Sequence, residues 1–147
     1  MLAALALCAT SAPLGAEVAG PKAAASASLT LSVQGQRSTR GQLLVCITTN
    51  AGAFPDCSRD PAATRLIVPL EDAAALRASL PAGRRYAIAV VHDENGNGRM
   101  DKLMGIPREG FGFSRDPALR MGPPRFDSAA FRLDGPDTES IRLRYML

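Results

Sequence analysis

Short segments whose apolar residues recur at every second position, set between clusters of Gly, Pro, Asn and Asp, constrain this chain most. Between Arg84 and His92, the residues Tyr86, Ile88 and Val90 share one face, which is the period of a strand and not of a helix. Leu29, Leu31 and Val33 alternate with Thr30, Ser32 and Gln34, and Ile141, Leu143 and Tyr145 alternate between Thr138 and Met146. Gln42 to Thr48 is a dense apolar run with β-branched residues, which predicts a central strand buried on both faces. Arg65 to Val68 and Ala129 to Leu133 add two shorter strands. Glu71 to Leu80 supports two readings. Ala73, Ala74, Ala75, Leu76 and Leu80 fit a helical turn, whereas Leu76, Ala78 and Leu80 alternate. Asp93 to Gly112 is so rich in Gly, Asn and Asp that it is expected to be irregular. No long amphipathic helix is present, which excludes alternating βαβ units. The expected fold is all-β, a β-sandwich of about seven short strands.

The first 27 residues stand apart from this pattern. Met1 to Ala16 carries no charge and is dominated by Leu and Ala, the character of the apolar part of an export signal. Small-x-small sites at Ala23-Ala24-Ala25 and Ala25-Ser26-Ala27 place cleavage near Ser26 or Ser28. Residues 1–27 are thus read as signal and leader, residues 28–147 as the folded domain, and the location as periplasmic or secreted. Cys8 follows Leu5-Ala6-Leu7. A lipoprotein peptidase needs a small residue where Leu7 stands, so a lipid anchor on Cys8 is not expected. In an oxidising compartment, Cys46 and Cys57 are expected to form a disulfide, the alternative being two buried thiols. Closing that loop contributes about 2–3 kcal/mol in the chain-entropy account. The net charge is +3, from 17 Lys+Arg against 14 Asp+Glu. The basic residues are dispersed, so no nucleic-acid partner is expected. No apolar run is long enough to span a bilayer, and a single histidine argues against a multi-histidine metal centre.

The most informative chemistry lies in Asp93-Glu94-Asn95-Gly96-Asn97-Gly98-Arg99-Met100-Asp101. Counting Asp93 as position 1, side-chain oxygens fall at 1, 3, 5 and 9, glycine at 6 and an apolar residue at 8. That is the spacing of an EF-hand calcium loop. Alternate residues of a tight loop point inward, so Asp93, Asn95 and Asn97 can converge on one cation. The Arg99 carbonyl supplies a further oxygen, and Asp101 binds directly or through water. Oxygen-only ligands select a hard cation, Ca²⁺ or Mg²⁺. Position 12 is Met104, where an EF-hand needs a bidentate Glu. Glu109 lies five residues further on and would have to fold back. The competing reading is a metal-free loop held by Asx turns, in which Asn and Asp bond their own backbone. A second use of the same segment is a small hydrolase or ligand carrier with a cleft formed by His92, Asp93, Arg108 and Glu109. A lone His at a strand end is more often a structural hydrogen-bonder. Ser114 has no neighbouring base, and Phe111, Phe113 and Phe126 read as core.

Two longer runs carry a family likeness. His92 to Asp101, then Gly105-Ile106-Pro107-Arg108-Glu109-Gly110-Phe111-Gly112-Phe113-Ser114, and later Pro124-Arg125-Phe126-Asp127-Ser128-Ala129-Ala130-Phe131 resemble the DUF2141 family of exported bacterial proteins. Phe54-Pro55-Asp56-Cys57 and Leu80-Pro81-Ala82-Gly83 fit as well, so the resemblance covers about residues 28–147. It implies an immunoglobulin-like or prealbumin-like sandwich, and it supplies no catalytic residue. The family's Gly-x-Tyr is here Gly83-Arg84-Arg85-Tyr86, one residue longer. Arg115-Asp116 stands where the family usually has Asn. The nine-residue loop is also similar to calcium loops of adhesin B-type repeats and dockerins. The expected role is a non-enzymatic module of the bacterial envelope, binding an envelope protein or glycan.

Overall fold

A computed structural model describes residues 25–74 and 76–147. Most of the expected leader, with Cys8, lies outside the described residues. Among the described residues, ten strands and one short α-helix follow in order, with single 3-10 turns at Cys57–Arg59 and Leu70–Asp72: β1 (Ser26–Gln34), β2 (Gln42–Thr48), β3 (Thr64–Pro69), β4 (Leu76–Pro81), β5 (Arg84–Asp93), β6 (Lys102–Leu103), β7 (Ile106–Pro107), β8 (Gly110–Phe113), α1 (Phe126–Ala129), β9 (Phe131–Leu133) and β10 (Asp137–Arg142). One sheet has the order β10-β1-β4, with β1 and β10 parallel. The other has the order β3-β2-β5-β8, and β9 pairs with the first residues of β5. The protein is an all-β sandwich. Among the described residues, no helix is long and apolar enough to cross a membrane.

The alternation seen in the sequence builds the space between the sheets. Leu29, Leu31 and Val33 of β1, Leu43, Val45 and Ile47 of β2, and Tyr86, Ile88 and Val90 of β5 all point into one core. Each large side chain buried there contributes about 1.5–3 kcal/mol. The extra residue before Tyr86 does not turn it outward. Tyr86 is buried and its hydroxyl donates to the Pro81 carbonyl at 2.8 Å. The other face of β5 is also covered. Ala87 and Ala89 leave room for Phe111 and Phe113, and Ala129, Ala130, Phe54 and Phe126 close a second, smaller core. Phe54 meets Phe113 and Phe126 edge-on, at 5.8 and 6.2 Å between ring centres. The Cys46–Cys57 disulfide, with Cα atoms 5.8 Å apart, holds the loop carrying Phe54 over this face.

One segment that the sequence left open is decided, and one departs from its reading. Leu76–Pro81 follows the alternating reading and is a strand, because Leu76 and Leu80 are buried against β1 with Ala78 packed behind them. Asp93–Gly112 is not wholly irregular. It contains the β6–β7 hairpin, and β8 begins at Gly110 and pairs with β5 from His92↔Gly110 to Ala89↔Phe113. The glycines of β8 mark close approach rather than a loop. A Cβ on Gly110 would strike the Tyr145 ring, and one on Gly112 would strike the Arg142 backbone carbonyl. Their bareness lets the chain after β10 cross from one sheet to the other. Leu143 donates to Gln34 O at 2.8 Å, and Arg144 exchanges two backbone hydrogen bonds with Phe111.

Candidate functional site

Asp93 ends β5 opposite Gln42 of β2. The chain then turns outward, and that register gives the loop its fixed base. Gly41 lies against the Asp93 backbone at φ +84°, and a Cβ there would overlap the Asp93 carbonyl. The Asp93 side chain is fully buried. Its Oδ1 accepts from Asn97 N at 3.1 Å, and its Oδ2 accepts from Gly98 N at 2.7 Å and from Gln42 Nε2 at 2.8 Å. No cationic side chain is among these partners.

The rest of the loop is organised by its own amides. Asn95 Oδ1 accepts from Asn97 N and Asn97 Oδ1 from Arg99 N, both at 3.1 Å. These are the Asx turns of the metal-free reading. The two amide nitrogens donate to Asp101 Oδ2 at 2.8 and 2.9 Å. Those bonds hold the Asp101 carboxyl below its ordinary range. Arg99 lies outside, 3.5 Å from Asp101 Oδ1.

Met104, the EF-hand closing position, does not enter the loop. It is 95% exposed, with φ +50°, at the tip of the β6–β7 hairpin. That two-residue turn reverses the chain and returns Glu109 to the loop. Arg108 N donates to Asp101 O at 2.9 Å. Glu109 Oε2 then accepts from Asp101 N at 3.0 Å, and Oε1 from Glu94 N at 3.2 Å. Glu109 is buried, and burial pushes its carboxyl upward, reinforced by the charges of Asp93 and Asp101. The structure therefore brings Asp93, Asn95, Asn97, Arg99, Asp101 and Glu109 into one loop system. Among the described residues, no three carboxylate, His or Cys side chains already converge on a metal position.

Oxygen capacity remains in the loop nonetheless. A carboxylate or amide oxygen has two acceptor directions. Asp93 Oδ1, Asn95 Oδ1, Asn97 Oδ1 and each Glu109 oxygen use one on a backbone N–H. Among the described residues, the Arg99 carbonyl accepts no backbone hydrogen bond.

The residues of the hydrolase or carrier reading have these partners. His92 is fully buried. Its Nε2 lies 2.8 Å from Arg40 O, and a carbonyl only accepts, so Nε2 carries the hydrogen. Nδ1 is then placed to receive the Tyr145 hydroxyl at 2.6 Å, and that oxygen accepts Arg37 N at 3.2 Å. Arg108 is exposed, and Glu109 holds backbone N–H groups. Ser114 Oγ is buried, donating to Ala129 O at 2.6 Å and accepting from Ile88 N at 2.9 Å.

Arg37 is a residue that sequence reasoning passed over. Its Nε and Nη2 donate to Glu94 Oε2 at 3.0 and 2.6 Å, Nη2 also to Arg108 O at 3.0 Å, and Nη1 to Leu147 O. Its guanidinium lies 4.5 Å from the centre of the Tyr145 ring. The pairing keeps Glu94 below the ordinary carboxylate range. These partners lie 57 to 110 residues away, so no local pattern announced them.

A family model described as an uncharacterized protein conserved in bacteria, DUF2141, matches residues 31–141. No curated protein and no solved structure matches the chain.

Proposed function

The chain belongs to the DUF2141 family, and from that premise we propose that it is an exported, non-enzymatic module of the bacterial envelope whose 93–101 loop, closed by Glu109, takes up Ca²⁺. Its partner is an envelope protein or a glycan, and it needs no transmembrane segment.

One observation carries the calcium reading. Two buried carboxylates, Asp93 and Glu109, stand with Asp101 around a single loop, and the groups bonded to the buried pair are backbone N–H groups and one Gln amide. Like charges gathered in a poorly solvated place repel, and either a proton or a cation relieves them. A hard divalent ion suits the donors, which are all oxygen. The unused acceptor directions of Asp93, Asn95, Asn97 and Glu109, together with the Arg99 carbonyl and Asp101, are its ligands. Three carboxylates, beside amide oxygens that already hold Asx turns, fit the weak affinity of extracellular modules, about 10⁻⁴–10⁻³ M.

The test is thermal unfolding of chelator-treated protein with added Ca²⁺. A ligand at ten to a hundred times its Kd stabilises by about 1.4–2.7 kcal/mol, or roughly 5–10 °C for a domain near this size. Asp101→Ala should abolish the rise. No calcium-dependent rise in the unaltered protein refutes the metal reading.

A further inference from the structure

The β6–β7 hairpin carries its apolar residues outward. Leu103 and Ile106 lie directly opposite each other across the hairpin, so their side chains share one face. They are 53% and 44% exposed, and Met104 at the turn is 95% exposed. Single exposed apolar residues need no explanation; three adjoining ones on a projecting turn do. Lys102 and Arg108 flank them, and among the described residues neither is in an ion pair. Neither cation is held by a carboxylate at contact distance: Glu94 is paired with Arg37 and Asp101 with Arg99, while Asp93 and Glu109 are turned inward and bond backbone N–H groups.

We infer that this hairpin inserts its tip into the surface of an anionic lipid bilayer, with Lys102 and Arg108 at the headgroups. The inference rests on the envelope part of the reading above and not on calcium. An exposed apolar hairpin tip flanked by cations without a salt-bridge partner suits a surface that is negative and deformable. A protein partner would have to offer a matching groove. Apolar insertion together with cation–headgroup attraction is the general physics of interfacial anchoring.

The chain contains no Trp, so Leu103→Trp in the full chain gives a reporter confined to the hairpin. Its emission is measured in chelator-containing buffer with phosphatidylcholine vesicles, with and without phosphatidylglycerol. The expected result is a blue shift with the anionic vesicles alone, reversed by high salt. Adding Lys102→Gln and Arg108→Gln should lower partitioning about 25-fold, roughly fivefold per cation, with an unchanged melting temperature. An unshifted Trp in vesicle-bound chain overturns the inference, because some other segment then does the binding. So does a shift indifferent to lipid charge and to the Gln pair. If Leu103→Trp does not fold, vesicle sedimentation of Met104→Asp replaces it. Binding equal to that of the unaltered chain is then the contrary result. Because calcium is absent throughout, failure here leaves the calcium reading standing, and a silent calcium titration leaves this inference standing.

Discussion

Replacing Asp93 should destabilise the fold even where no metal is present. Asp93 is fully buried, and its carboxylate receives Asn97 N, Gly98 N and Gln42 Nε2. A hydrogen bond to a charged group contributes about 1.5–3 kcal/mol. Asp93→Ala removes all three acceptor contacts, but Asn97 and Gly98 lie at an exposed turn and can partly rehydrate. The expected cost is therefore about 3–5 kcal/mol, at or below the lower end of the sum of about 4.5–9 kcal/mol, because Asn97 N also keeps Asn95 Oδ1 as an acceptor. That corresponds to a fall in melting temperature of roughly 12–20 °C for a domain of about 120 residues. Asp93→Asn separates the chemistry from the shape. Its amide nitrogen is best turned toward Asn97 N, which keeps Asn95 Oδ1 as an acceptor; one charge-assisted bond is then lost and the two to Gly98 N and Gln42 Nε2 fall to a neutral oxygen, for a loss of about 2 kcal/mol. Urea unfolding of the three proteins in chelator measures this. If both variants unfold within about 0.5 kcal/mol of the unaltered protein, the range of an ordinary surface substitution, the carboxylate does not hold the loop and the reasoning fails.

Other outcomes follow from the same geometry. Gly41→Ala places a Cβ on the Asp93 carbonyl at φ +84° and should lose about 3 kcal/mol or more. Gly98→Ala meets open space at φ +79° and should lose only about 1 kcal/mol, both read by thermal melting. Reduction of the Cys46–Cys57 bond, which closes a separation of 11 residues, should lower stability by about 3 kcal/mol. Intact mass with and without reductant and alkylation verifies the bond. The pH dependence has two opposite parts. Glu94 and Asp101 are held low, by Arg37 and by the Asn97 and Asn95 amides, so their stabilisation is present above ordinary carboxylate values and lost as pH falls through the lowered ones. Glu109 is pushed up by burial, so its contribution is complete below the ordinary Glu value and is lost as pH rises through the raised one. Melting temperature against pH should therefore decline less on the high side of the ordinary Glu value in Glu109→Gln, the remaining decline coming from Glu139, which burial also pushes upward.

What the sequence disclosed and what it hid divide along physical lines. Strands with one face in the main core were legible, because Leu29, Leu31 and Val33 or Tyr86, Ile88 and Val90 announce a buried side by period alone. Segment Glu71 to Leu80 was ambiguous because its alanines suit either period, and the pairing of Leu76–Pro81 with β1 decided its second half. Strand β8 was hidden because Gly110 and Gly112, required by Tyr145 and the Arg142 backbone, look like loop glycines. The loop spacing was legible at Asp93, Asn95, Asn97 and Asp101, since it is a local count. The return of Glu109 was not, because it depends on a two-residue turn at Met104-Gly105 with both φ values positive. Arg37 and Tyr145 were invisible, since their partners come together only when the two sheets close.

The central claim is that the acidic loop takes one hard cation. Calorimetric titration of Ca²⁺ into metal-free protein tests it directly, with Glu109→Gln alongside. The account predicts one site per chain in the unaltered protein, and loss of that site when the returning carboxylate is neutralised. Absence of binding heat at millimolar Ca²⁺ across several temperatures, or an identical site in Glu109→Gln, would contradict it.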